Sequence, residues 1–182
     1  QKAPSVVRVF TEKDFENYGF TTIKDVMNTI PGIQMQEYRA GHQNVWIRGV
    51  QARYNNKVLL LIDGVPMRDS YYGNFNIDEM IPLENVKKIE VLNGPGSVLY
   101  GANSFSGVIS ITTKDEGKSA QAAYGSFNSV ETFAEYDYKG LYASGKFFQT
   151  DGFQPEYMSD GKQRDVNQKA SLGYGRLKYK YK

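Results

Sequence analysis

Ten residues of near-strict alternation, Val130 to Lys139, restrict this chain more than any other stretch. Val130, Thr132, Ala134, Tyr136 and Tyr138 occupy one parity, while Glu131, Glu135, Asp137 and Lys139 occupy the other, with Phe133 the exception. Successive strand side chains point to opposite faces, so a period of two sorts these sets onto the two sides of a sheet. Lys139-Gly140 then reads as a tight connection to a second strand, Leu141 to Gln149. A longer polar segment, Thr150 to Arg164, separates it from a last strand over roughly Val166 to Lys182. There Leu177, Tyr179 and Tyr181 alternate with Lys178, Lys180 and Lys182. The apolar phase slips between Tyr174 and Leu177, which predicts a bulge near Gly175.

The residues before Thr113 to Ser119 have a different texture, mixing short strands, short helices and loops. Val6 to Phe10 reads as a strand. Thr11 with Asp14, and Thr22 with Asp25, have capping-box spacing, which satisfies the orphan amides that open a helix. Behind the second box, Ile23, Val26, Met27 and Ile30 form one apolar helical stripe, which Pro31-Gly32 is expected to stop. Strands follow over Ile33 to Glu37, Asn44 to Arg48 and Val58 to Ile62, and Asp63-Gly64-Val65-Pro66 turns the chain. Lys87 to Leu92 places Ile89 and Val91 opposite Lys88 and Glu90. Asn93-Gly94-Pro95-Gly96 leads into a short helical stretch, Ser97 to Tyr100, before a strand over Val108 to Thr113. This part is a compact α+β module.

Composition narrows the classes further. Hydrophobic residues make up only 40% of 182, whereas 14 Tyr, 10 Phe and 18 Gly favour sheets, tight turns and interfacial rings over helical bundles. A net charge of +2 gives no electrostatic footprint for nucleic acid. There is no cysteine, hence no disulfide or thiolate site. The longest apolar run, Val58 to Ile62, falls far short of the roughly 18 residues of a membrane helix. No signal peptide opens the chain, so Gln1 reads as the start of a mature or trimmed form. A tight turn followed by a long loop is the rhythm of an outer-membrane barrel. Alternation alone equally suits a soluble sheet with one wet face. The Ala, Gly and Tyr of the apolar face favour lipid contact.

Enzyme chemistry finds little support. Gly96 to Gly101 has the glycine spacing of a phosphate-binding loop, but Ala102-Asn103 replaces the Lys-Ser/Thr that would reach phosphate and magnesium. His42 is the single histidine, and no serine sits in a Gly-x-Ser-x-Gly elbow. Asp63, Asp69, Asp78 and Glu79 lack calcium-loop spacing. His42 could touch a ligand's metal, although a lone loop histidine is more often merely solvated. No catalytic residue and no metal site of the protein's own is expected.

Five segments, in order, resemble the plug of TonB-dependent outer-membrane receptors. They are Asp25 to Ile33, Val45-Trp46-Ile47-Arg48-Gly49, Leu60-Leu61-Ile62-Asp63-Gly64-Val65-Pro66, Ile89 to Gly101 and Gly107 to Lys114. The resemblance covers nearly all of residues 5 to 114, and the alternating strands are what the family would supply next. It implies an α+β plug domain over residues 1–115, followed over 116–182 by the first antiparallel strands of a transmembrane β-barrel, truncated here. It implies TonB-energised uptake of a scarce nutrient across the outer membrane of a Gram-negative bacterium, a ferric siderophore before haem or cobalamin. The partners implied are outer-membrane lipid, a metal-chelate ligand and TonB, the last engaging a segment upstream of Gln1; no cofactor is bound covalently. Outward plug loops would be Tyr38 to Gln43, Gln51 to Asn56 and Arg68 to Asn76. They carry Tyr38, Arg39, His42, Arg53, Tyr54, Tyr71, Tyr72 and Asn74, and Arg with Tyr suits an anionic or catecholate chelate. Singly, each also suits packing on a barrel wall. Arg48 and Glu90, on candidate buried strands, would anchor plug to barrel, with an internal salt bridge the alternative for Glu90. The family often has arginine before the Gly-Pro step, where this chain has Asn93.

Two other readings compete. One is a soluble α+β binding or assembly module, periplasmic or at the surface, with an appended sheet. The other, an unplugged porin, would have no use for residues 5 to 114.

Overall fold

The computed structural model describes residues 6–37, 43–50, 55, 57–68, 75, 77, 81–94, 104–152, 156–159, 162–165 and 170–179. The chain divides into two compact units, Gln1–Lys114 and Asp115–Lys182.

The first unit opens with β1 (Val6–Thr11), α1 (Glu12–Tyr18) and α2 (Ile23–Asn28). Both carboxylates expected to cap do so: Asp14 accepts the Thr11 amide at 2.7 Å, and Asp25 accepts the Thr22 amide at 2.9 Å. In return the Asp25 amide donates to Thr22 Oγ1 at 3.1 Å, and each such cap contributes about 1 kcal/mol. The helical stripe is core: Ile23, Val26 and Met27 are fully buried, as is Ile30 beyond the helix end. Helix α2 stops at Asn28, ahead of Pro31. Threonine at the C-cap is responsible, because its amide turns back to Val26 and its hydroxyl also bonds the Val26 carbonyl at 2.7 Å.

Next come β2 (Ile33–Glu37) and β3 (Gln43–Ile47), an antiparallel pair, then β4 (Val58–Ile62), β5 (Val65–Met67), β6 (Val86–Asn93) and β7 (Gly107–Thr113). Five strands form one sheet in the order β1-β6-β7-β4-β5, with only the β4–β7 pair parallel. Asp63 and Gly64, at φ 49° and 80°, form a hairpin turn with positive φ at both central positions. Val65 and Pro66, read from sequence as part of that turn, instead pair back on β4. Asp63 ties the turn to β7, accepting the Thr113 amide at 2.8 Å and the Thr113 hydroxyl at 2.6 Å. One sheet face carries Leu60, Ile89, Val91, Ile109 and Ile111, all fully buried. Burying such side chains is worth about 1.5–3 kcal/mol each. The opposite face holds Leu59, Leu61 and Val108 with Leu92. Gly107 is required by close approach: a Cβ there would lie 2.6 Å from the Leu92 carbonyl and 2.7 Å from Ile47 Cδ1. The helical stretch expected at Ser97 to Tyr100 lies outside the described residues.

The second unit is a four-stranded antiparallel sheet in the order β13-β10-β9-β8, from β8 (Lys118–Gly125), β9 (Ser129–Tyr138), β10 (Leu141–Thr150) and β13 (Ala170–Tyr179). Strand β8 has no counterpart in the sequence reading, because its Ala- and Ser-rich run carries little β propensity. Lys139 and Gly140, at φ 49° and 85°, form the expected tight turn. The segment read as a polar loop contains a further hairpin, β11 (Glu156–Ser159) with β12 (Lys162–Asp165). No bulge occurs at Gly175; pairing runs unbroken from Thr150↔Ala170 to Leu141↔Tyr179. The apolar phase changes there because both faces accept aromatic and aliphatic side chains. Tyr174 shares the face of Lys146, while Leu177 shares that of Ala143.

Parity sorts the sheet as the alternation implied. Val130, Thr132, Ala134, Tyr136 and Tyr138 are exposed, whereas Phe133 and Glu135 are buried. The Glu135 carboxylate accepts the Tyr142 hydroxyl at 2.7 Å and the Ser119 hydroxyl at 3.0 Å. Lys146 pairs with Glu131 at 3.0 Å. One face is thus largely apolar and exposed, and the other combines buried aromatic rings with polar side chains bonded to one another.

Candidate functional site

Asn55 is a buried polar side chain, 1% exposed, that joins three separate stretches of chain. Its Oδ1 accepts the Val45 amide at 2.7 Å, and its Nδ2 donates to the Phe75 carbonyl at 3.0 Å. The Asn55 carbonyl also accepts the Val58 amide at 3.1 Å, which fixes the start of β4. Val45 lies just after the first of the segments expected to face outward, and Asn55 and Phe75 lie near the ends of the other two. Val45 follows His42 closely, Asn55 follows Tyr54, and Phe75 follows Asn74. One amide therefore gathers the stems of all three segments beside β3.

Leaving a buried amide or carbonyl unpaired costs about 1–3 kcal/mol, so this convergence is held rather than incidental. Tyr38, Arg39, His42, Arg53, Tyr54, Tyr71, Tyr72 and Asn74 themselves lie outside the described residues. Asn55 escaped the sequence reading because an asparagine in Tyr54-Asn55-Asn56 looks like ordinary turn chemistry.

A second junction forms where β3 ends. Sequence reading put Arg48 on a buried strand, but β3 stops at Ile47 and Arg48 is exposed. Arg48 and Gly49, at φ 53° and 73°, make a two-residue turn closed by the Val50 amide on the Ile47 carbonyl at 3.0 Å. Gly49 permits this turn, and the turn aims the guanidinium back across the unit. Arg48 Nη2 donates to the Asn93 carbonyl at 2.8 Å, while the Arg48 amide donates to the Gly32 carbonyl at 2.7 Å. The Asn93 side chain completes the tie, its Nδ2 donating to the Pro31 carbonyl at 3.2 Å. Asn93 thus links β6 to the Pro31-Gly32 turn.

Glu90 is half-exposed on β6 and pairs with Lys88 two residues away, at 2.9 Å. Its partner lies within its own strand. Among the described residues no group of His, Asp or Glu is disposed to hold a metal ion. Both helix-capping carboxylates are held below their ordinary range, Asp14 by the Thr11 amide and hydroxyl, and Asp25 against partial burial. Burial pushes it up, but bonds from the Thr22 side chain and from the Thr21 and Thr22 amides outweigh that and hold it below 3.8.

Comparison with known proteins agrees with this architecture. The family model "TonB-dependent Receptor Plug Domain" matches residues 1–108. The vitamin B12 transporter BtuB of Vibrio vulnificus (strain CMCP6) is 29% identical over 157 residues, covering 80% of this chain and 25% of that protein. Among solved structures, the ferric yersiniabactin uptake receptor FyuA from Yersinia pestis aligns over 95% of this chain and 28% of its own, with TM-score 0.67 and 22% identity. The pyoverdine outer membrane receptor FpvA from Pseudomonas aeruginosa PAO1, bound to pyoverdine, aligns over 98% and 26%, with TM-score 0.66 and 22% identity. The chain thus spans about a quarter of the length of these relatives. An α+β module carrying the matched segments, followed by antiparallel strands, is the shared fold, and the chain belongs to the TonB-dependent receptor plug domain family.

Proposed function

We propose that this chain is the plug and first wall strands of an outer-membrane importer energised by TonB, with a ferric chelate as its cargo. Residues 1–115 would occlude the lumen and residues 116–182 would begin the wall. A barrel too wide for its own side chains to fill needs such a stopper. The single observation that carries the reading is Asn55, which draws the stems of three Arg- and Tyr-bearing segments to one place. The guanidinium and phenol groups that these segments carry in sequence suit an anionic or catecholate ligand through charge-assisted hydrogen bonds and stacking. The sheet of the second unit supports the wall assignment, with one exposed apolar face and, in β9, β10 and β13, strands of ten residues, a length that spans a bilayer when tilted. Its short Lys139-Gly140 turn then faces the periplasm and the long 151–169 connection faces outward. Transport needs no covalent chemistry, and the chain acts as a receptor rather than an enzyme. Cobalamin is the second cargo to consider, since BtuB is a vitamin B12 transporter.

Uptake of radiolabelled ferric siderophores and of radiolabelled cobalamin by cells producing the whole receptor tests this directly. Accumulation of a ferric chelate that stops when TonB is deleted is expected. Cobalamin accumulation alone would replace the cargo. A whole protein that fractionates free of the membrane, with no uptake, would favour the soluble binding module instead.

A further inference from the structure

We propose that the tight-turn end of the four-stranded sheet binds anionic phospholipid headgroups, through Lys118 and Lys139 set among Tyr136, Tyr138 and Tyr179. The inference rests on reading this sheet as membrane wall. Cross-strand register places Tyr138, Leu141 and Tyr179 in one row of the exposed face, and Lys118, Tyr136, Ala143 and Leu177 in the next. Tyr136 and Tyr138 are each 56% exposed and Tyr179 66%, so this end presents a band of open phenol rings. Farther along, the same face turns to Ala120, Ala134, Gly145 and Gly175, which have no polar side chain.

Charge is distributed just as unevenly. The acids of these strands, Glu131, Glu135 and Asp137, all have the opposite parity and sit on the other face. Among the described strand residues the exposed face therefore carries no carboxylate, and Lys118 is its only charge. Lys139 joins it from the turn. Both ammonium groups are held over this face by aromatic rings, Lys118 Nζ 5.2 Å from the Tyr136 centroid and Lys139 Nζ 5.1 Å from the Tyr138 centroid. A cation–π contact of this kind positions a lysine without neutralising it.

Tyrosine rings settle at the headgroup level, and long lysine stems reach from apolar surface toward polar groups. At that depth the two cations require anions, and the described strand residues offer none on this face. A phosphate-bearing headgroup with net negative charge supplies them, whereas a zwitterionic one brings its own ammonium into competition. Because the short turn faces the periplasm, the headgroups belong to the phospholipid leaflet on that side.

The test uses the whole receptor in vesicles of phosphatidylethanolamine mixed with phosphatidylglycerol, followed by detergent extraction and native mass spectrometry of the lipid retained. One basic residue near an anionic surface is worth about a fivefold preference, so wild type should retain phosphatidylglycerol over phosphatidylethanolamine by at least that factor. Lys118→Gln with Lys139→Gln should abolish the preference while the protein stays resistant to alkaline extraction. Equal retention by wild type and variant overturns the lipid site alone. Stronger retention of lipopolysaccharide than of phosphatidylglycerol, when both are offered, overturns the assignment to the phospholipid leaflet. A wild-type protein that leaves the vesicles in alkali overturns the membrane reading itself, and this site with it.

Discussion

Arg48 Nη2 and the Asn93 carbonyl oxygen lie 2.8 Å apart, across 45 residues of sequence. The bond joins the turn after β3 to the end of β6, and Arg48 adopts a left-handed φ of 53° to make it. A non-glycine residue in that conformation costs about 1 kcal/mol, which the contacts it enables must offset.

Substituting Arg48 therefore has two separable effects. Arg48→Ala loses the bond and keeps the strain, whereas Arg48→Gly loses the bond and relieves it. Hydrogen exchange in the whole receptor should show amides around Ile33 and Asn93 opening about fivefold faster in Arg48→Ala, a loss of about 1 kcal/mol, with Arg48→Gly closer to wild type. Equal effects would mean that backbone strain plays no part.

Asn55→Ala strands the Val45 amide and the Phe75 carbonyl together, at a cost of about 2–4 kcal/mol. The damage is local, so the receptor should still reach the membrane. Ligand affinity should fall at least tenfold, because the three segment stems lose their common tie. Titration of cargo onto purified Asn55→Ala, normalised to folded protein, checks this; unchanged affinity would detach Asn55 from binding.

The Asp25 cap sets an acid limit on α2. Its carboxyl is held below 3.8 in the folded chain, so the stabilisation is complete above that value. It is lost as pH falls through the lower folded value. A carboxyl-carbon NMR titration of the whole receptor should place the Asp25 midpoint below 3.8, and Asp25→Asn should remove the corresponding pH dependence of α2. A midpoint at or above 3.8 would show that burial, not hydrogen bonding, prevails.

Gly117 precedes β8 in the second unit at φ 152°, its amide donating to Asp137 Oδ1 at 3.0 Å. A Cβ there would sit 2.7 Å from the carboxyl carbon of Glu135. Gly117→Ala should lower the thermal unfolding midpoint of the inserted protein, by about 1–3 kcal/mol in stability. Glu135→Ser loses the Tyr142 and Ser119 bonds and is destabilising by itself. Gly117→Ala should nevertheless cost less in that background than in wild type, because the clash goes and the backbone strain stays. Strictly additive effects in the four-protein cycle would rule out the contact.

Local chemistry was legible in the residues themselves. Threonine followed three positions later by aspartate specified both helix starts, since the bonds involved reach only a few residues. Asp63-Gly64 and Lys139-Gly140 specified tight turns, and the parity of Val130 to Tyr138 specified which side chains share a face. The ordered segments from Asp25 to Lys114 were enough to indicate the family.

Tertiary structure alone decided the relationships that span the chain. The parallel pairing of β4 with β7, the turn that takes Arg48 off its strand, and the regular register through Gly175 all depend on partners that are distant in sequence. Strand β8 was invisible because its neighbour β9, not its own composition, makes it a strand. Asn55 is the clearest case. Nothing in Tyr54-Asn55-Asn56 distinguishes a solvated turn amide from a buried one, and only folding brings Val45 and Phe75 to its two ends, where desolvation makes both hydrogen bonds obligatory.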